Sequence, residues 1–348
     1  MTTKSRAYVK YFMIFKDIFI RNIDATAYRE NFLVSAVVSI FVIRIYLRFA
    51  NYPKLGSGEF HIAHLLWGGF FMMAALLILL SFLNQKAAVV ASILGGIGFG
   101  AFIDELGKFI TADNNYFFQP TFALIYIVFV LLYLISRSIP RYQPFSQREY
   151  LVNAIEMIKE SAINDFDEEE EKRAVEYLKH CDPKNPIVKA LKSLLTKLEV
   201  EENPPPGIVT KFRRALRIHY YRIAKAGFVI NIVIVFLILQ TTLTIIRVAS
   251  VSHYRPVLSF SEWGQLYSSI LAGIFVVFGL LALRFSRVEA YRFFRIAVLV
   301  TILLTQFFLF MHLGWTDIIG LLVNVFTLVV INYAMVRDRK KAKVVTGH

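Results

Sequence analysis

Two histidines three positions apart, His61 and His64, and a carboxylate pair followed by a lysine, Asp104, Glu105 and Lys108, are the side chains best placed to do chemistry. Residues three or four apart share a helix face. His61 and His64 open HIAHLLWGG, and their face continues inward through Gly68, Met72 and Ala75. Asp104 and Lys108 end GGIGFGAFIDELGK, and their face runs back through Gly100 and Gly96. Both faces are seams of small residues with polar groups at the outer end, and small residues let membrane helices approach closely. Packed on each other, the seams bring His61 and His64 toward Asp104, with Glu105 one position round.

Three chemistries suit this set. Ionisable groups at membrane depth are costly and generally pair, so Asp104 and Lys108 form an i,i+4 ion pair in the plainest arrangement, with the histidines at the wet interface. A site for a proton, a small cation or a lipid headgroup is the second. There His61 and His64 are titratable donors or ligands, Asp104 and Glu105 are counter-charges, and Lys108 pairs or faces an anion. The third places a divalent metal such as zinc on His61, His64 and Asp104, where it would activate water for lipid hydrolysis. His312 could add a ligand.

Two motifs mislead. Gly96-Ile97-Gly98-Phe99-Gly100-Ala101 matches a dinucleotide-binding G-x-G-x-x-A, but it lies inside an apolar run with no strand before it to make a phosphate cradle. Cys181, the single cysteine, excludes an intrachain disulfide and a multi-cysteine zinc site. Between His180 and Asp182 it is expected to be an inert, partly exposed thiol.

A histidine on one span followed by a carboxylate motif that ends the next resembles the VanZ-like membrane proteins, a family associated with glycopeptide-antibiotic tolerance. The residues that carry the resemblance are His61 or His64, then Asp104-Glu105-Leu106 and the polar loop beyond, about 80 residues in all. The family usually follows its carboxylate with Gln, where this chain has Gly107-Lys108. The pairing of HIAHLLWGG with FIDELGKFITADNNYFFQPT is also similar to multi-pass prokaryotic membrane proteins of uncharacterised activity. The resemblance implies a cell-envelope setting and no particular mechanism.

The elements that must position these residues follow from composition. Of 348 residues, 57% are apolar and 18% charged, with a mean hydropathy of +0.55. No aqueous surface can be built around so much apolar side chain, which excludes a soluble enzyme and a disordered chain. A span needs about 20 apolar residues. Eight stretches qualify: 31–50, 61–83, 87–110, 120–139, 228–249, 265–283, 293–312 and 315–336. The expected fold is therefore an all-α polytopic transmembrane bundle.

Lys and Arg exceed Asp and Glu by 14. They cluster before span one, between spans two and three, around 137–225, between spans six and seven, and at the end of the chain. The positive-inside rule then places both termini in the cytoplasm of an inner or plasma membrane. The start, 1–30, is no signal peptide, because Lys10, Lys16, Asp17 and Arg21 interrupt it. It reads as an amphipathic segment at the interface, or as a helix packed on the cytoplasmic domain.

Segment 140–226 is a cytoplasmic helical insert. It contains an acidic run, DFDEEEE, Pro punctuation, and a basic helix near 207–226 suited to anionic headgroups. A protein partner could engage it. Nucleic acid is not expected, since no recognition motif accompanies the charge.

Residues 31–139 and 227–337 read as two four-helix repeats, with 338–348 a basic tail. A constant offset of 203 places Arg44 on Arg247 and Glu59 on Glu262, and one residue further on Asp113 falls opposite Asp317. The second half has GQLYSSILAG and TILLTQFFLFMHL where the first has its histidines and carboxylates. It is therefore expected to be a structural partner. The expected function is binding or translocation of a proton, small cation or lipid headgroup at the first repeat. A metal-dependent lipid hydrolase and a non-catalytic assembly or signalling subunit are the alternatives.

Overall fold

A computed structural model describes residues 19–50, 64–112, 118, 120–138, 145–163, 166–198, 227–254 and 258–345. The described residues form helices joined by turns, with no strand. Among the described residues seven helices are long and apolar enough to cross a membrane. The fourth expected span, α5 (Pro120–Ser138), is helical, but its apolar stretch, Pro120–Ser136, is shorter than the rest. The outward faces carry Val42, Leu76, Leu80, Val235, Leu239 and Val277 exposed. Only a hydrocarbon solvent accommodates such a surface. The chain is a multi-pass helical membrane protein.

It divides into two compact units: Met1–Glu105 with Leu132–Pro205, and Leu106–Leu131 with Pro206–His348. The expected boundaries differ, because the insert groups with the first bundle and 106–131 with the second.

In the first unit, α1 (Ala25–Phe49), α2 (His64–Ser81) and α3 (Gln85–Asp104) form a three-helix slab with α3 in the middle. Glycine on two sides of α3 makes this possible. A Cβ at Gly96 or Gly100 would sit 2.3 Å from the carbonyl oxygen of Phe32 or Ala36 on α1. A Cβ at Gly98 would sit 2.6 Å from the carbonyl of Gly68 on α2. This corrects the expected seam. The Gly68 face of α2 does meet α3, but on the Gly98–Phe102 side. The Gly96–Gly100–Asp104 face packs on α1, where Ser39 Oγ also donates to the Ile97 carbonyl at 3.0 Å. Alternate glycines point to opposite sides of a helix, so α3 approaches two neighbours at once.

The insert belongs to this unit. It comprises α6 (Gln147–Ile158) with a 3₁₀ turn Lys159–Ile163, α7 (Glu168–Lys179) and α8 (Pro186–Leu195). Ser146 with Glu149 and Asp167 with Glu170 form capping boxes, while Asn185 caps α8 and Pro186 opens it. Met157, Phe166, Leu178, Val188 and Leu195 make its small core. Cys181 lies inside that core and not partly exposed as expected, and burial pushes its thiol above the ordinary range.

The insert grips the bundle at three places. Arg21 donates from Nε and Nη2 to the two oxygens of Glu149 at 2.6 and 2.9 Å. Asn153 accepts from the Ile23 amide and donates to the Arg21 carbonyl, both at 2.9 Å. The Lys159 ammonium donates to the Leu83 carbonyl, and Glu160 accepts from the Gln85 amide at the start of α3. Residues 19–24 therefore dock on the insert. Residues 1–18 and the basic helix near 207–226 lie outside the described residues.

In the second unit, α9 (Gly227–Tyr254), α10 (Phe260–Ala282), α11 (Arg287–Val300) and α13 (Ile318–Val345) enclose a core of Leu237, Val276, Phe294, Val298 and Ile331. Between α11 and α13 run a π-turn, Thr301–Thr305, and α12 (Gln306–Leu313). Gly314 then turns the chain with φ of 61°, a conformation open to glycine. Helix α10 packs on α9 and α11, and α13 on α11 and α9. Glu262, which the offset matches to Glu59, is the third residue of the capping box that Ser259 opens on α10. Glu59 lies outside the described residues, as does Asp113.

Candidate functional site

Helix α3 ends at Asp104 because Glu105 turns the chain; Leu106–Ile110 is a separate short helix, α4. Expected span 87–110 is thus broken at the carboxylates. Asp104 and Lys108 do not share one continuous helix. Lys108 lies in α4, in the second unit. His312 is exposed on the last turn of α12.

What the first unit assembles instead is a four-residue charge cluster. Asp104 is wholly buried, and its Oδ1 accepts from Nε of Arg44 at 2.6 Å. His64 opens α2, with Nε2 3.4 Å from Asp104 Oδ2 and Nδ1 2.9 Å from Glu105 Oε1. Glu105 is also wholly buried, whereas the His64 side chain keeps 21% of its exposure. His64, Asp104 and Glu105 come together as expected. His61 lies outside the described residues.

Each member has a local reason for its place. The close contact of α3 with α1 carries the Asp104 face onto the helix that bears Arg44. The Gly68–Gly98 contact sets the start of α2 against the end of α3. Glu105, just past that end, turns toward His64. The cluster therefore sits at the end of the bundle opposite the insert, which grips residues 83–85.

Arg44 is the site residue that sequence reasoning missed. An arginine inside an otherwise apolar run, FVIRIYL, was the available signal, because such a charge needs a buried partner.

Arranged this way, one guanidinium offsets one carboxylate and one imidazole bridges two. With both carboxylates ionised, the four groups sum to zero when His64 carries a proton and to minus one when it does not. For a metal, the Asp104 oxygens are already committed to Arg44 and His64, and the guanidinium would oppose a dication. Among the described residues no set of three or more His, Cys, Asp or Glu side chains is arranged to hold a metal ion.

Fold and site together define a multi-pass helical membrane protein with a buried Arg–Asp–His–Glu network. No protein-family model, curated protein or solved structure matches the chain.

The membrane core of the second half is also polar. Gln265, Ser268 and Ser269 on α10, Thr301 and Thr305 in the π-turn, Gln306 on α12, and Asn324 and Thr327 on α13 are all buried. Gln306 Nε2 donates to Asp317 Oδ2 at 2.6 Å, and the Tyr126 hydroxyl donates to the Ile302 carbonyl. These residues are uncharged, so a search for titratable clusters passes over them.

Proposed function

We propose that this is a proton-binding membrane protein that uses the Arg44–Asp104–Glu105–His64 cluster to take up and pass on a proton. The observation that carries the reading is His64 between two wholly buried carboxylates, of which Arg44 pairs with one. His64 is the most exposed member of the cluster, at 21% against 13% for Arg44, so protons enter and leave through it. The carboxylates hold the charge that keeps the proton in place.

In this reading the cluster faces the extracytoplasmic side of an inner or plasma membrane. The insert lies in the cytoplasm, as the distribution of Lys and Arg requires.

Purified protein in liposomes carrying an internal pH dye tests the function. The native chain is expected to collapse an imposed pH gradient, and His64→Gln and Asp104→Asn to slow the collapse at least tenfold while remaining folded. Proton-tight liposomes with the native chain, or unchanged flux in His64→Gln, would overturn it.

A further inference from the structure

We infer that the second unit contains a binding site for an alkali-metal cation, formed where α10, the π-turn with α12, and α13 converge. It is separate from the proton cluster and does not depend on that reading.

The first observation is a set of buried polar atoms with no partner. Asn324 is completely buried, and neither its Oδ1 nor its Nδ2 has a hydrogen-bond partner. Gln306 is equally buried, and its Oε1 is unpartnered although its Nε2 is bonded to Asp317. Thr305 Oγ1 is a third orphan. A buried polar group left unpaired costs on the order of 1–3 kcal/mol. Three oxygens in one membrane core are therefore not left bare without cause.

The second observation is that the fold places these groups together. After the Gly314 reversal, helix α13 packs against the π-turn that precedes α12. Gln306 lies eight residues before that glycine, and Asn324 seven after Asp317, so the two stand at the same depth. On α13 the face of Asn324 and Thr327 continues to Ile331, which packs in the core with Phe294 and Val298 of α11. The same face one to two turns earlier must meet the continuation of α11, which is the π-turn and Gln306. Helix α10 closes the third side with Gln265, Ser268 and Ser269, all buried.

The chemistry of the set selects the ligand. Amide, hydroxyl and carbonyl oxygens are hard donors, suited to alkali and alkaline-earth ions and not to zinc or copper. The nearby carboxylate, Asp317, is bonded to Gln306 and also lies in the field of the Arg247 guanidinium. With its charge already offset, a divalent ion would be left undercompensated, and a singly charged ion is the most that neutral oxygens accommodate. The Asn324 Nδ2 donor suits a water completing the ion's shell. A π-turn inside a helix is a frequent companion of functional sites.

Thermal unfolding of the purified full-length chain in NaCl, KCl and choline chloride at equal ionic strength tests the inference. One alkali salt is expected to raise the midpoint over choline by about 2–4 °C, saturably. Asn324→Leu should abolish that response yet be no less stable than the native chain in choline, since it removes two orphaned atoms. Thr305→Val should weaken the response, and His64→Gln should leave it intact. Equal midpoints in all three salts would mean an ordered water only and would overturn the site. So would a full alkali response in Asn324→Leu or, if that variant does not fold, in Thr305→Val.

Discussion

Arg44 Nε lies 2.6 Å from Asp104 Oδ1 across the α1–α3 contact, joining residues sixty positions apart inside the membrane-spanning slab. Removing one partner of such a pair strands the other's charge, at about 3–5 kcal/mol. With His64 Nε2 3.4 Å from the second oxygen, the three residues are expected to act as one unit. Arg44→Gln, Asp104→Asn and His64→Ala are each expected to destabilise the protein strongly. The Asp104→Asn/His64→Ala double variant should lose about as much as the worse single one. Losses that add to within about 0.5 kcal/mol in a thermal-stability cycle would show that the residues act independently.

The glycine contacts make a graded prediction. Gly100→Leu and Gly98→Leu press a side chain into backbone of α1 and α2, which cannot move aside, whereas a Cβ at Gly69 meets nothing within 4 Å. The first two should prevent folding or lower the melting temperature severely, and Gly69→Leu should be near neutral. A Cβ at Gly279 would meet the Phe294 ring at 2.5 Å. Gly279→Leu should therefore also destabilise. Melting temperatures of the four purified variants check the order.

The Arg21–Glu149 pair gives the insert a pH dependence. Arg21 donates two hydrogen bonds to Glu149 and, with help from Ser146, holds its carboxyl at about 2, well below the ordinary 4.5. Because the folded value is depressed, the stabilisation is complete above about pH 4.5 and is lost as pH falls toward 2. It amounts to about 2–3 kcal/mol. Acid titration of stability should show this loss in the native chain and not in Glu149→Gln, which starts less stable at neutral pH.

Orientation is checked by labelling. With Cys181 buried, the native chain should react little with maleimide. A cysteine at Lys54 or Asn114 is expected to label with an impermeant reagent from outside intact cells, and one at Glu169 only after lysis. The reverse pattern would invert the proposed topology.

The grip of the insert on the α2–α3 connection is the remaining check. Glu160 accepts from the first amide of α3, where a carboxylate also meets the positive end of the helix dipole. Glu160→Ala should cost about 1–2 kcal/mol and raise hydrogen exchange at Gln85 and Lys86. Unchanged exchange there would mean that the insert does not hold the helix.

The sequence by itself determined the helical class, the membrane setting and most of the spans. A run of about 20 apolar residues has no other stable solution in a bilayer, and that constraint is local. It also required that the ionisable groups in such runs pair, but Lys108 met that demand for Asp104 as well as His64 did. Only the tertiary structure decided how. The face of α3 that meets α1 or α2 could not be chosen from spacing, since glycines occupy both sides and either contact satisfies the pattern. Arg44 was unassigned for the same reason, its partner being sixty residues away on a face whose neighbour was unknown. The break at Glu105, which separates Lys108 from Asp104, left no mark in an otherwise periodic helical segment. The polar seam around Asn324 escaped notice because Asn, Gln and Thr scattered over three helices look unremarkable one at a time. Packing makes them one site, by removing the water that each would otherwise bond.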